Sequence, residues 1–373
     1  MTDIIKPDLK VVKQIISSGG ESLKKCYQCA TCSVVCKLSP DDSPFPRKEM
    51  INAQWGLKDK LVTDPDIWLC HQCGDCTAYC PRGAKPGEVI GAVRKMTIAH
   101  YAIPKFLAKM VGEAKYLPLL IAFPVLFLLA VLGAIGRLHI PEGEIVFGHL
   151  MPHTIVDLVF VPIFMFSALV FAGGVLRFWR NIQGQCNGKC SLMSLIPTAI
   201  SVNLDILSHK KFRKCEVNKG RALAHMGVLY GFIGLAITTA LAVFYLYILK
   251  QESPYLLTSP LKIIGNLSAI ALLTGITLVV INRFKVKAQA GMGSYFDWLF
   301  IGVIYTVVLS GILAEVTRLI GIAILAYPIY FVHLVSVFFL FLYAPYSKLA
   351  HMVYRTIALI HAKKIGREEV EEK

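Results

Sequence analysis

The sequence predicts an all-α protein, a helical two-cluster ferredoxin-like domain followed by a transmembrane bundle of six helices. Three observations predict it. Eight of the eleven cysteines fall in two runs of identical spacing, six long apolar segments follow them, and basic residues crowd alternate loops. Only 17% of the 373 residues are charged and 55% are hydrophobic, whereas soluble domains carry ~25% charged residues. Polarity changes near residue 115. The expected division is a polar head over 1–115, a membrane domain over 116–355 and a charged tail over 356–373.

The head comes first. Its runs are Cys26, Cys29, Cys32 and Cys36, then Cys70, Cys73, Cys76 and Cys80, the latter followed by Pro81. The spacing C-x2-C-x2-C-x3-C binds [4Fe–4S] clusters in bacterial ferredoxins, and in two-cluster proteins the fourth cysteine ligates the other cluster. One cluster is therefore expected on Cys26, Cys29, Cys32 and Cys80, and the second on Cys70, Cys73, Cys76 and Cys36. Zinc is the competing use of CxxC pairs, but zinc sites set their ligands as two separated pairs rather than four in one run. Lys37 stands where the first run would carry its proline. The start, MTDIIKPDLK, has no apolar stretch of signal type. The head is thus expected to stay where it is made, with its cysteines reduced and ligating metal.

A hydrocarbon core of ~30 Å needs roughly 20 apolar residues as a helix. Six segments qualify, at about 117–135, 155–178, 222–249, 263–281, 298–313 and 329–343. Glu315 and Arg318 interrupt the fifth at its end. Basic residues fix the orientation. Arg177, Arg180, Lys189, Lys210, Lys211, Arg213, Lys214, Lys219 and Arg221 follow the second span, Arg283, Lys285 and Lys287 follow the fourth, and Lys348, Arg355, Lys363, Lys364 and Arg367 close the chain. The alternate loops are nearly free of them. Head, basic loops and C-terminus are therefore expected on the cytoplasmic side of the inner membrane. The net charge of +15 reads as this topology signal and a surface for anionic lipid, with no place for nucleic acid.

Ionisable residues within spans are costly and usually functional, and neutral imidazole ligates haem iron. His333 and His351 lie about five helical turns apart, ~27 Å along one helix face, although Pro345 between them can kink the helix. His225 begins the third span at the depth of His351, so these two are the expected ligands of an inner haem b. His153, at the outer start of the second span, is the partner proposed for His333 at an outer haem, with His149 as the fallback. Gly227, Gly231 and Gly234 after His225 can admit a macrocycle or simply a neighbouring helix. Cys186, Cys190 and Cys215 lack the spacing and number for a cubane and read as reduced structural thiols. Asp157 and Glu315 are outer-side candidates to accept protons, with a Glu315–Arg318 pair at i, i+3 as the plainer use of Glu315.

The head sequences CYQCATCSVVC and CHQCGDCTAYCP resemble the heterodisulfide reductase C subunit, a small helical ferredoxin with two [4Fe–4S] clusters. HLVSVFFLFLYAPYSKLAHMVYR and AHMGVLYGFIG are similar to the cytochrome b subunits of heterodisulfide reductase and of respiratory nitrate reductase (the gamma subunit). That family has a second histidine where this chain has Leu235. Fusion of both modules resembles the C subunit of the quinone-interacting membrane-bound oxidoreductase. The resemblance implies a subunit moving electrons between menaquinone or menaquinol and cytoplasmic flavin/iron–sulfur subunits resembling heterodisulfide reductase A. It further implies a link to adenylylsulfate reductase in sulfate respiration. Each recognisable part is an electron carrier and none offers a bond-making set, so the chain reads as the quinone-reactive component of an oxidoreductase and not a complete catalyst. The alternative is a membrane anchor or redox sensor whose clusters are structural, without haem or quinone chemistry.

Overall fold

The computed structural model describes residues 5–40, 43–184, 192–214, 216–218 and 220–367. Cys186, Cys190 and Cys215 lie outside them. Among the described residues the secondary structure is helical throughout, with no strand. In the head, Asp8 caps the Leu9–Ser17 helix by accepting from the amide of Lys10 at 2.8 Å, and this helix buries Val11, Val12 and Ile15. The helix Pro86–Tyr101 starts on a proline, whose missing N–H costs nothing there, and runs through the middle of the head. Around it Leu23, Phe45, Met50, Leu61, Ile67 and Trp68 are shut from solvent, as is its own Ile90.

This core does not end at the membrane boundary. Phe178, Ile182, Tyr343, Tyr346, Tyr354 and Ala358 belong to the same buried cluster as Trp68 and Tyr101. Trp68 stacks on Tyr354 at 5.4 Å and 19°, and Phe178 meets both edge-on. Such aromatic contacts add to area burial. Polar ties reinforce them, since Arg177 donates to Tyr101 O, and Tyr346 Oη donates to Ile103 O at 2.7 Å.

Among the described residues six helices are long and apolar enough to cross a membrane, Ala114–Ala134, His153–Gln183, Arg221–Tyr247, Pro260–Lys285, Tyr295–Leu319 and Ala323–Lys364. Their number is as expected, and their bounds differ in two informative places. The fifth helix passes Glu315 and continues to Leu319 because Lys262 of the fourth span binds the Glu315 carboxylate at 2.6 Å. A paired carboxylate can stay in a helix that an isolated one would end. The Glu315–Arg318 reading of this charge is thereby replaced by a bond between spans. The sixth is not one smooth helix. It breaks after Tyr343 into a short turn at Ala344–Tyr346 and resumes at Ala350–Lys364, because Pro345 removes a backbone donor. A helix read as loop also appears, Leu192–Ser208, too short to span, with Ile196, Ile200 and Leu204 exposed at i, i+4, i+8.

The third and fourth spans form the tightest pair. A Cβ at Gly231 would fall 2.7 Å from Leu272 Cβ, one at Gly227 2.9 Å from Gly275 Cα, and one at Gly234 1.9 Å from Ser268 Oγ. The glycines after His225 therefore serve helix packing and not a macrocycle. Gly231→Ala should cost about 1–3 kcal/mol through overpacking, read as a lower unfolding temperature in detergent. Gly302→Ala, which meets open space, should not lower it. Equal destabilisation by both would show that the seam is not the cause.

Candidate redox site

Each cysteine run makes a loop and then one helical turn, Thr31–Val34 in the first and Asp75–Ala78 in the second, and these two turns pack on each other. The loops share a backbone. Both pass through the left-handed region at the residue before the second cysteine, Gln28 (φ 60°) and Gln72 (φ 50°), and again at the residue after it, Ala30 (φ 68°) and Gly74 (φ 98°). That curl is what brings three thiols of one run together.

The fourth thiols cross over. Cys36 lines one small cavity with Cys70, Cys73 and Cys76. Cys32 lies within the electrostatic reach of Cys26, Cys29 and Cys80. Burial, assisted by these neighbours, pushes the Cys32 thiol up to about 11 and the Cys36 thiol up to about 12. Thiols so reluctant to ionise in apolar surroundings stay protonated until a metal binds, and that binding displaces and releases the proton. Cys36 thus sits with the second run, and Cys80 lies near Cys32 of the first. The settings of the two groups differ, because Cys29 is exposed whereas Cys70 is buried.

The second loop is lashed to the membrane helices. Arg94, from the long head helix, donates to Ile67 O at 2.6 Å and to Cys70 O. Arg221, at the start of the third span, donates to His71 O and, at 2.8 Å, to Gln72 O. Arg355, from the last helix, reaches Cys70 O at 3.4 Å. On the far side of the loop Asp75 accepts from the amides of Glu216 and Val217 at 3.2 and 2.9 Å.

Beneath this loop lies a cavity of about 1720 Å³ at the junction of head and membrane helices, larger than the ~300–1,000 Å³ of ordinary ligand pockets. His225 and His351 both line it. So do the apolar Val228, Phe232, Ile276, Phe300 and Met352 and the cations Arg221, Lys348 and Arg355. His351 spends Nδ1 on Lys348 O. His225 spends Nδ1 on Nε2 of His209, at 2.9 Å. Among the described residues no hydrogen bond uses Nε2 of either ring. Metal-ligating histidines are usually held this way, one nitrogen on an acceptor and the other left for the metal. Two such imidazoles, an apolar wall and cationic groups suit a planar iron macrocycle bearing carboxylates. His71, beside Cys70, lines both cavities and packs edge-on against Phe212 at 4.7 Å, and Phe212 packs on His225 at 4.8 Å.

The outer histidines are placed differently. His333 turns Nδ1 toward Val307 O and Ser310 Oγ of the fifth span, each at 3.1 Å. His153 faces Ser253 Oγ at 3.4 Å, in the loop after the third span. No hydrogen bond among the described residues joins His153 to His333. The backbone of His149 accepts from Arg137, and Asp157 accepts from Tyr247. Sequence reasoning missed His209, which lies in the basic loop and carries no spacing signal, and His71, which is only a residue between two cysteines.

It also missed a buried acidic group behind the second loop. Glu49, Asp64 and Asp66 lie within 4.8 Å of one another. Lys48 reaches them at 3.4, 2.9 and 2.7 Å, and Arg367 meets Asp66 at 2.5 Å, pinning the chain's last helix to the head. Burial pushes Glu49 up to about 8, with Asp64 adding to it.

Sequence comparisons agree with this two-part architecture. The profile described as citrate utilization protein B matches residues 107–371, and that of a 4Fe-4S dicluster domain matches residues 22–84. A protein of Archaeoglobus profundus described as like the C subunit of heterodisulfide reductase is 36% identical over 103 residues, 27% of this chain and 53% of that protein. The C subunit of the H(2):CoB-CoM heterodisulfide,ferredoxin reductase of Methanothermobacter marburgensis is 34% identical over 110 residues, 27% of this chain and 59% of that protein. The chain thus spans little more than half the length of these relatives. Citrate utilization protein B of Escherichia coli is 29% identical over 371 residues, 95% of this chain and 93% of that protein. No solved structure matches. The head thus matches a 4Fe-4S dicluster domain and is similar to heterodisulfide reductase C subunits, and it is joined to six helices long and apolar enough to cross a membrane.

Since Glu49 ionises at higher pH in the folded chain than in the unfolded one, its contribution to stability is full below the ordinary carboxylate range and is lost as pH rises through about 8. Glu49→Gln should flatten the decline in unfolding temperature between acid and mildly alkaline pH. Parent and variant with parallel profiles would contradict this.

Proposed function

The chain belongs to the citrate utilization protein B family, and we propose that it is a membrane subunit relaying electrons between menaquinone and a soluble flavin/iron–sulfur oxidoreductase, through haem b and two [4Fe–4S] clusters. One observation carries the reading. His71 follows a cysteine of the second run, lines that run's pocket, and also lines the cavity between His225 and His351. An anchor with merely structural clusters has no use for a cluster loop set against a cavity between two membrane histidines.

In this reading Cys26, Cys29, Cys32 and Cys80 hold the water-facing cluster, and Cys70, Cys73, Cys76 and Cys36 the membrane-facing one. His225 and His351 would hold the inner haem through Nε2, and Arg221 and Arg355 would face its carboxylates, Lys348 being paired with Asp297. Haem b, when bound, supplies a one-electron carrier that neither histidine could provide. His333 with His153 is the proposed outer pair, and Leu235 marks where the resembling cytochromes have a histidine that this chain lacks. Quinol oxidation releases two electrons and two protons, and Asp157 is the outer-side carboxylate offered to take the protons, Glu315 being held by Lys262. The basic loops put the head and C-terminus on the cytoplasmic side of the inner membrane, against anionic lipid. The soluble partner is of the heterodisulfide reductase A kind. A connection to adenylylsulfate reductase rests on the resemblance to the quinone-interacting oxidoreductase alone, while the Escherichia coli relative is named for citrate utilization.

Three measurements test this. Protein extracted from membranes should give a pyridine haemochrome of haem b, and its absence would favour the anchor. His225→Ala and His351→Ala should each abolish the same inner haem, and His333→Ala the outer one. His153→Ala with full haem content and both midpoints unchanged would remove the proposed outer pair. Cys80→Ser should alter the EPR signal of the cluster on Cys26, Cys29 and Cys32. Damage confined to the cluster of its own run would refute the crossed assignment.

A further inference from the structure

We propose that His209 is the positioning residue of His225, selecting the imidazole tautomer that leaves Nε2 of His225 with a lone pair for iron. The inference rests on the reading that His225 and His351 hold a haem. His209 ends the Leu192–Ser208 helix, is 1% exposed, and adopts a left-handed backbone (φ 53°). Side chains other than glycine take that conformation at a cost, and functional sites are where it collects. Its Nδ1 lies 2.9 Å from Leu207 O and its Nε2 2.9 Å from His225 Nδ1.

The proton positions follow from what each atom can do. A backbone carbonyl only accepts, so Nδ1 of His209 carries the proton. In the neutral ring Nε2 of His209 is then an acceptor. His225 must therefore donate from Nδ1, which leaves its Nε2 unprotonated. Tyr230 Oη donates to the same Leu207 carbonyl at 2.9 Å, and Phe212 packs on both rings at 5.3 and 4.8 Å, holding the pair in register. His351 gets the same service from Lys348 O, a backbone atom. Of the two Nδ1 acceptors, His209 is the one that a side-chain substitution can remove. An acceptor on Nδ1–H makes the ligand more basic and favours the ferric state, so losing it should favour the ferrous one.

The test uses the full chain purified from membranes as wild type, His209→Ala and His209→Gln, with EPR of the two clusters reporting intact folding. His209→Ala should shift the reduced-to-oxidised ratio of the inner haem about tenfold toward reduced at fixed potential, roughly 59 mV for one electron, with the outer haem unmoved. His209→Gln, whose Oε1 can accept the same proton, should return the midpoint toward wild type. An unchanged inner midpoint in His209→Ala, or equal shifts in Ala and Gln variants, overturns the proposal. A wild-type protein without an inner haem overturns the cavity reading itself, and this proposal falls with it.

Discussion

The carbonyl oxygens of Cys70, His71 and Gln72 are the point on which this molecule is organised. A loop curled tightly enough to gather three thiols turns its carbonyls outward, where they cannot join a helix, and buried carbonyls must find donors. Three guanidinium groups meet them, from the head's long helix (Arg94), the third span (Arg221) and the last helix (Arg355). Arginine suits this work because its planar fork serves several acceptors at once and keeps its charge when desolvated. The second loop therefore has one position relative to the bundle.

That constraint explains why head and membrane domain share a core. Trp68, two residues before Cys70, is sandwiched with Tyr354 and Phe178, and Asp66, two residues earlier still, holds Arg367. The change of composition near residue 115 marks a change of solvent and not a break in packing. The expected boundary describes where water gives way to lipid, while the hydrophobic cluster runs on from Val11 to Ala358.

What was legible in the sequence is what repeats. Cysteine spacing, apolar length and the alternation of basic loops are periodic or cumulative signals, and the all-helical class and the number of spans followed from them. The pairing of His225 with His351 was legible because each lies at the basic-loop end of its span, and both line one cavity, whereas the helical-rise distance from His333 to His351 crosses the break at Pro345. The rest depended on pairs brought together only by folding. Lys262 with Glu315, Gly231 with Leu272, and His209 with His225 each join residues whose partner no local pattern names. The glycines after His225 show the limit well, since the same residues suit a macrocycle or a helix, and only the position of the fourth span decides.

The repeated backbone of the two cysteine loops has a further consequence. Gln28 and Gln72, and Ala30 and Gly74, occupy equivalent places in the same left-handed curl, and each loop lends its last thiol to the other's grouping. The two cysteine loops are thus a near-symmetric pair within an otherwise unrepeated head. Direction is imposed from outside. One copy opens to water at Cys29, and the other is walled in by arginines from the bundle. A symmetric pair of loops becomes one-sided by where it is mounted.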